Sequence, residues 1–311
     1  MDDAPLPPRL LSRRAALAQG HSDEELGRLT RRSGWTRLRR GAYLDAAPPS
    51  DDGDRHRLLV RATLDGLRRP AVVSHQSAAV LWGLPLWGVR LDQVHVTRSP
   101  GASTGASRSL RVHVAGLAPE DLSVVAGIAV TDPVRTVLDL ARSTSTEVAV
   151  VALDAALRSG LVDGVALRER LVQMTGIRGC RQAARAVGMA DGRSESVGES
   201  RSRVVLHRLD LAPSDLQFEV WSAAGALLGR TDFVWTSARV VGEFDGRVKY
   251  GRLLRPGQSA GDVVFEEKRR EDLIRDEGWQ VVRWTWSDLQ QPARLGERVA
   301  RALERSHRRS G

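Results

Sequence analysis

The stretch that decides the reading of this chain is Asp232-Phe-Val-Trp235, followed past Thr236-Ser237-Ala238 by Val240-Val-Gly-Glu243-Phe-Asp245-Gly246. Apart from its acids it is apolar and β-branched or aromatic, the composition of a buried pair of strands. A turn centred near Ser237 sets Asp232 opposite Gly242 or Glu243, and cross-strand neighbours lie about 5 Å apart. Glu243 and Asp245 are two residues apart and share one strand face. Three carboxylates therefore converge at one end of a hairpin.

Three acids on an apolar sheet repel one another and resist desolvation unless a cation pairs them. Mg²⁺, or Mn²⁺ in its place, is the natural partner, because it takes one or two carboxylates and keeps several waters. Its chemistry is a nucleophilic water and charge neutralisation at a phosphoryl oxygen. Lys249 would orient that water or stabilise developing negative charge. The alternative is a solvated strand end, with the acids ion-paired to arginines of the following helix. The residues alone leave both readings open.

Around the hairpin the periodicity predicts a helix from about Glu195 to Leu209, strands over 216–222, 227–235 and 238–245, a charged helix over 264–277, a strand over 280–286 and a last helix from Ser287. The order is α-β-β-β-α-β-α. With Asp232 and Glu243-Phe-Asp245-Gly246, the run Glu267-Lys-Arg-Arg-Glu-Asp272, the run Gly278-Trp-Gln-Val-Val-Arg-Trp-Thr-Trp286, and Gly198-Glu199-Ser200-Arg-Ser-Arg203 on the leading helix, this region resembles a bacterial domain related to very-short-patch repair endonucleases. That domain belongs to the PD-(D/E)XK superfamily. The resemblance covers about residues 195–305. It implies a restriction-endonuclease-like α/β fold, Asp232 and Glu243 as metal ligands, and Glu199 assisting from the first helix. The superfamily pattern carries Lys two residues after the second acid, where this chain has Asp245. Lys249 or Lys268 would substitute, and Glu267 joins them as a candidate; otherwise the site is catalytically weak.

The N-terminal part reads as α+β. Helices are expected over 10–20 and 22–33, the second capped by Ser22 with Glu25 completing a capping box. Trp35 to Leu44 then reads as a basic hairpin turning at Gly41. This is the order of a winged helix, with flanking arginines on phosphates. Further helices are expected over 55–67, 74–81, 147–159, 164–174 and 177–187, with one starting at Asp132-Pro133. Strands are expected over 94–97, 110–114 and 124–130. The segment Leu10–Leu44, with Ser74-His75-Gln76-Ser77-Ala78-Ala79, Trp82-Gly83-Leu84-Pro85 and Gly127-Ile-Ala-Val-Thr131-Asp-Pro133-Val-Arg135-Thr136-Val-Leu-Asp139, resembles abortive-infection type antitoxin proteins. That resemblance implies DNA binding by Arg31, Arg32, Arg37, Arg39 and Arg40, and it makes a cognate toxin a candidate partner. His75 reads as a hydrogen-bonded core residue, since His56 and His113 show no metal-ligand spacing. The domain reading is 1–48, 49–190 and 195–311.

Composition fits a polyanionic partner. The 311 residues carry a net charge of +9, and residues 28–40 hold six arginines and no acid. Only two of the 47 basic residues are lysines, Lys249 and Lys268, both near the carboxylates. A single cysteine, Cys180, cannot form an internal disulfide, and the first twenty residues hold no apolar signal core. Together they predict a cytoplasmic protein with no membrane span. Two readings follow: a Mg²⁺-dependent DNA endonuclease, or a non-catalytic, antitoxin-like transcriptional regulator with a degenerate nuclease fold.

Overall fold

The structure is a computed structural model describing residues 8–246 and 260–310, with side chains for 8–246 and 265–305. It is mixed α and β. Two compact units emerge in place of three consecutive segments: unit 1 takes the chain to Thr144 together with Val165–Cys180, and unit 2 takes Ser145–Gly164 and the chain from Arg181. No helix among the described residues is long and apolar enough to cross a membrane.

Unit 1 opens with β1 (Leu10–Ser12), α1 (Arg13–Ala18), α2 (Asp23–Arg32), β2 (Thr36–Arg39) and β3 (Ala42–Leu44). The expected helix over 10–20 is shorter, because Leu10–Ser12 pair antiparallel with Ala42–Leu44 in a sheet of order β1-β3-β2. Ser12 instead caps α1 by accepting from the Ala15 amide at 3.0 Å. Ser22 caps α2 through the Glu25 amide at 3.1 Å. The Glu25 carboxylate reaches His21 at 3.3 Å rather than closing the box. Gly41, at φ +80, makes the turn of the hairpin. Ala16, Leu26 and Tyr43 form the small core between these elements.

The chain continues through α3 (Asp52–Leu64), β4 (Val72–Val73), α4 (His75–Leu81), β5 (Val94–Arg98), β6 (Gly105–Ala106), β7 (Leu110–Val114), β8 (Leu122–Val125), β9 (Ile128–Thr131) and α5 (Pro133–Ser143). The six strands lie in the order β6-β7-β5-β4-β9-β8. Residues 124–130, expected as one strand, are a hairpin: Ala126 and Gly127 both take positive φ, +49 and +78, the primed-turn geometry that matches strand twist. Asp132 caps α5 as expected, accepting from the Val134 and Arg135 amides. Leu59, Val60, Val73, Ala78, Val94, Val96 and Val130 pack between helices and sheet. Next come α6 (Thr146–Arg158), in unit 2, α7 (Gly164–Gln173), in unit 1 from Val165, and α8 (Cys180–Met189), in unit 2 from Arg181.

Unit 2 is completed by α9 (Val197–Arg208), β10 (Asp215–Trp221), β11 (Leu227–Trp235), β12 (Val240–Asp245), α10 (Ala260–Asp276), β13 (Gln280–Thr285), α11 (Trp286–Leu289) and α12 (Pro292–Ser310). The expected last helix is split, with Pro292 opening its longer part, where a missing amide costs nothing. The sheet runs β10-β11-β12-β13; its first three strands are antiparallel, and β13 lies parallel to β12. One face carries Phe233, Trp235, Val240, Phe244 and Trp284 against Leu206 of α9 and Val299 of α12. The other carries Val220, Val234 and Val241 against Ile274 of α10. Helix α6 joins this unit through buried Asp154, whose carboxylate receives both Nη2 contacts of Arg203 on α9, at 2.8 and 3.0 Å.

Candidate functional site

Strand register builds the site. Leu216 pairs with Phe233 and Phe218 with Thr231, so Gln217 faces Asp232. Phe233 pairs with Gly242, so the next step sets Asp232 opposite Glu243. Glu243 in turn pairs with Arg283 on the parallel strand β13. A polar row, Gln217–Asp232–Glu243–Arg283, thus crosses all four strands. Val234 and Val241 belong to the α10 face, and alternation places Asp232, Glu243 and Asp245 on that same face. Register therefore sets Asp232 opposite Glu243 rather than Gly242 and leaves Asp245 on the same face, but among the described residues the three acids do not bring their oxygens within 4.8 Å of one another.

The partners of each acid decide its chemistry. Asp232 accepts from the Phe244 amide at 2.8 Å, which fixes its carboxylate against β12. Glu243 is held at both oxygens: Arg270 Nη2 lies 2.7 Å from Oε1 and Arg283 Nη2 lies 2.8 Å from Oε2. Arg283 also meets Glu267 at 3.1 Å and Glu271 at 3.2 Å. Burial works against its charge, but the three surrounding carboxylates outweigh burial and raise its pKa above the usual arginine value. For Glu243 the arginine-paired alternative is thus the one observed, with Arg270 supplied by the following helix. Asp245 is half-buried at the strand end.

Glu199 is almost fully buried near the start of α9. Its carboxylate accepts from the Glu195 amide, Ser196 Oγ and Gln217 Nε2 at 2.7–2.9 Å. It first braces the start of α9, bonding the residue before the cap and the hydroxyl of the cap Ser196, and joins the polar row through Gln217. Lys268 is exposed on α10, and Lys249 lies outside the described residues.

Two participants, Arg283 and Gln217, escaped the sequence reading, and Arg270 was anticipated only as one of the arginines of the following helix. Arg283 had a signal, the single charge in the run Gln280–Trp286. Arg270 reads from sequence as one more arginine of a charged helix. Gln217 had none: it takes φ +52, and the strand's inward side switches there, with Leu216 on the α9 face and Phe218 and Val220 on the α10 face. A non-glycine residue held in that region inside a strand marks strain of a kind that concentrates at functional sites.

In unit 1 the basic residues divide. Arg28, Arg31, Arg32, Arg37 and Arg40 are exposed along α2 and the hairpin. Arg39 is a correction. Its Nε and Nη2 both donate to the Ala62 carbonyl of α3, at 2.9 and 2.6 Å, so it ties the hairpin to α3 and does not face outward. His75 is buried, as expected of a core residue, yet it stacks on His113, and His95 lies beside them.

No protein-family model matches the chain. Two curated relatives from Mycobacterium tuberculosis, "Uncharacterized protein MT2308" (strain CDC 1551 / Oshkosh) and "Uncharacterized protein Rv2248" (strain ATCC 25618 / H37Rv), are each 30% identical over 187 residues. The match covers 60% of this chain, which spans 65% of the length of either relative. Among solved structures, the crystal structure of RV2827C protein from Mycobacterium tuberculosis is 13% identical with a TM-score of 0.38, covering 68% of this chain and 83% of that one.

The histidines make unit 1 sensitive to acid. Burial, followed by the neighbouring charges of His113 and Arg111, depresses His95 to about 3. Burial is again the largest cause for His113, where the pull of Asp139 does not offset it and the value falls to about 4. His75, facing Arg135 and Arg142 as well, is held well below its ordinary value. A histidine depressed on folding binds its proton more readily when unfolded, so stability rises with pH across that window. Unit 1 should hold its full histidine contribution above pH ~6.5 and lose it progressively as pH falls towards 4. Urea denaturation followed at pH 7.5, 6, 5 and 4.5 measures this. A midpoint independent of pH over that span would refute the depressed values.

Proposed function

We propose that this is a DNA-binding protein whose unit 2 is a Mg²⁺-dependent, endonuclease-like module of the PD-(D/E)XK type. The observation that carries the reading is the placement of Asp232 and Glu243 opposite each other on one face of the β11–β12 hairpin, with Asp245 on the same face. Asp232 and Glu243 offer carboxylate oxygens, the ligand class Mg²⁺ and Mn²⁺ select, and an ion there would have to draw Glu243 away from its arginines. When bound, such an ion supplies charge neutralisation at phosphoryl oxygen and a lower pKa for water.

The chain's own residues do the rest. The Phe244 amide orients Asp232. Arg270 and Arg283 hold Glu243 and bring two permanent positive charges to the place where a phosphodiester would lie. Gln217, braced by Glu199, presents an amide at the head of the row. In unit 1, the order β1-α1-α2-β2-β3 supports a winged helix in which α2 enters the major groove. Arg31, Arg32, Arg37 and Arg40 then meet phosphates, without Arg39.

A second reading rests on a specific observation: both Glu243 oxygens are neutralised by arginine. It makes the protein an antitoxin-like regulator that grips DNA without cutting it, with a cognate toxin as partner. One experiment separates the two. Supercoiled plasmid is incubated with the protein and Mg²⁺ or Mn²⁺, beside Asp232→Ala and Glu243→Ala. Cleavage should fall by at least about 100-fold in each variant. Cleavage that survives both substitutions rules out the catalytic assignment. No cleavage with either metal, together with binding whose affinity drops steeply with salt, selects the regulator.

A further inference from the structure

Unit 1 contains a cluster that the proposed function does not use. His75 of α4, His95 of β5 and His113 of β7 place one ring nitrogen each within 4.8 Å of one another. His75 and His95 are buried. Their rings form one continuous group, His75 stacked on His113 with centroids 3.7 Å apart and His95 Nδ1 lying 3.0 Å from His113 Nε2. The fourth histidine nearby is accounted for: His56 spends both nitrogens on the Leu91 carbonyl and Ser77 Oγ.

We propose that His75, His95 and His113 form a binding site for an imidazole-preferring divalent metal of the zinc class. Three neutral imidazoles from three different elements are the donor set that Zn²⁺ selects, with the fourth position left to water. For His75 and His95 the second nitrogens have the partners such ligands require. His75 Nδ1 meets Ser74 Oγ at 3.0 Å, with Asp139 Oδ2 behind it at 4.0 Å, which leaves Nε2 as the ligand. His95 Nε2 meets the Gln76 side-chain amide at 2.6 Å. Turning that amide over puts its oxygen against Nε2–H and frees Nδ1 to ligate. The backbone is held for this as well: His75 takes φ +53 at the start of α4, a strained setting for a side chain with no catalytic duty in unit 2. A bound metal lies in the plane of each imidazole. The stacked pair, 13° from parallel, therefore has to open on loading, and half-exposed His113 is the ring with room to turn.

The test uses the untagged full chain, stripped with a chelator, reloaded with Zn²⁺ and dialysed. We expect about one zinc per chain by elemental analysis and a higher melting temperature for the loaded protein. Co²⁺ in its place should give the visible bands of a four-coordinate ion without a thiolate charge-transfer band, since Cys180 is not a ligand. His113→Ala and His95→Gln should each lose the metal. Asp232→Ala should retain it, which separates this site from the carboxylate row of unit 2. Clearly substoichiometric zinc on the wild-type chain overturns the proposal whether or not the variants fold, and so does zinc retained by both histidine variants.

Discussion

Replacing Arg135 by methionine should lower the stability of unit 1 by roughly 3–5 kcal/mol, the cost of leaving buried charges without their partner. Arg135 is 5% exposed. Its Nη1 meets Asp121 at 2.9 Å and its Nε meets Asp139 at 3.1 Å. Both carboxylates are buried, Asp121 at 1% and Asp139 at 0% exposed. Arg142 and Arg170 complete the group, one on each acid. Methionine matches much of the arginine's volume, so the loss isolates charge from packing. Each acid then keeps one cation where it had two. Urea titration at pH 7.5 reads the loss. A loss below about 1 kcal/mol, the scale of a surface pair, would show that the network carries no buried-charge penalty.

Gly198→Ala should cost unit 2 about 3 kcal/mol, the upper range for forcing an extra methyl into a packed core. A Cβ built at Gly198 falls 1.9 Å from Phe244 Cε1 and 2.4 Å from two further ring atoms. The ring cannot swing clear. It is 8% exposed and meets Trp286 edge-to-face at 4.9 Å. Relief has to come from the backbone of β12, and the Phe244 amide is the donor that orients Asp232. The substitution should therefore also weaken any activity of the carboxylate row, although Gly198 touches none of its side chains. Gly188→Ala is the control, since its added methyl meets nothing within 4 Å. In helix α8 it should be neutral or stabilise by up to about 1 kcal/mol. Equal melting temperatures for the two variants would refute the clash.

The candidate site was legible in part. Asp232, Glu243 and Asp245 could be placed together because strand alternation and a short turn are local geometry. What holds Glu243 was legible only as some arginine of the following helix, and Arg283 not at all. Arg270 and Arg283 are 27 and 40 residues further along the chain, and only the parallel pairing of β13 with β12 brings Arg283 into the row. Arg39 shows the same limit, since from sequence it is one arginine among six while in space it binds the Ala62 carbonyl. The histidines are 20 and 18 residues apart, far outside the short spacings that announce a metal site, and they meet only because β5 and β7 are neighbours behind α4.

The sequence alone determined the features that depend on nearest neighbours. Ser22 and Asp132 cap their helices, Gly41 turns its hairpin, and the order α-β-β-β-α-β before the terminal helices is set by periodicity and breakers. Each of these is decided within about one helical turn or one hairpin of chain, where side-chain and backbone chemistry act on adjacent residues. The tertiary structure decided the rest: that Leu10–Ser12 is a strand, that α6 packs on α9, and which charges pair. Leu10–Ser12 gains its ladder hydrogen bonds from Ala42–Leu44, and Glu243 and Asp154 their ion partners from other elements, all chain distant in sequence that no local pattern specifies.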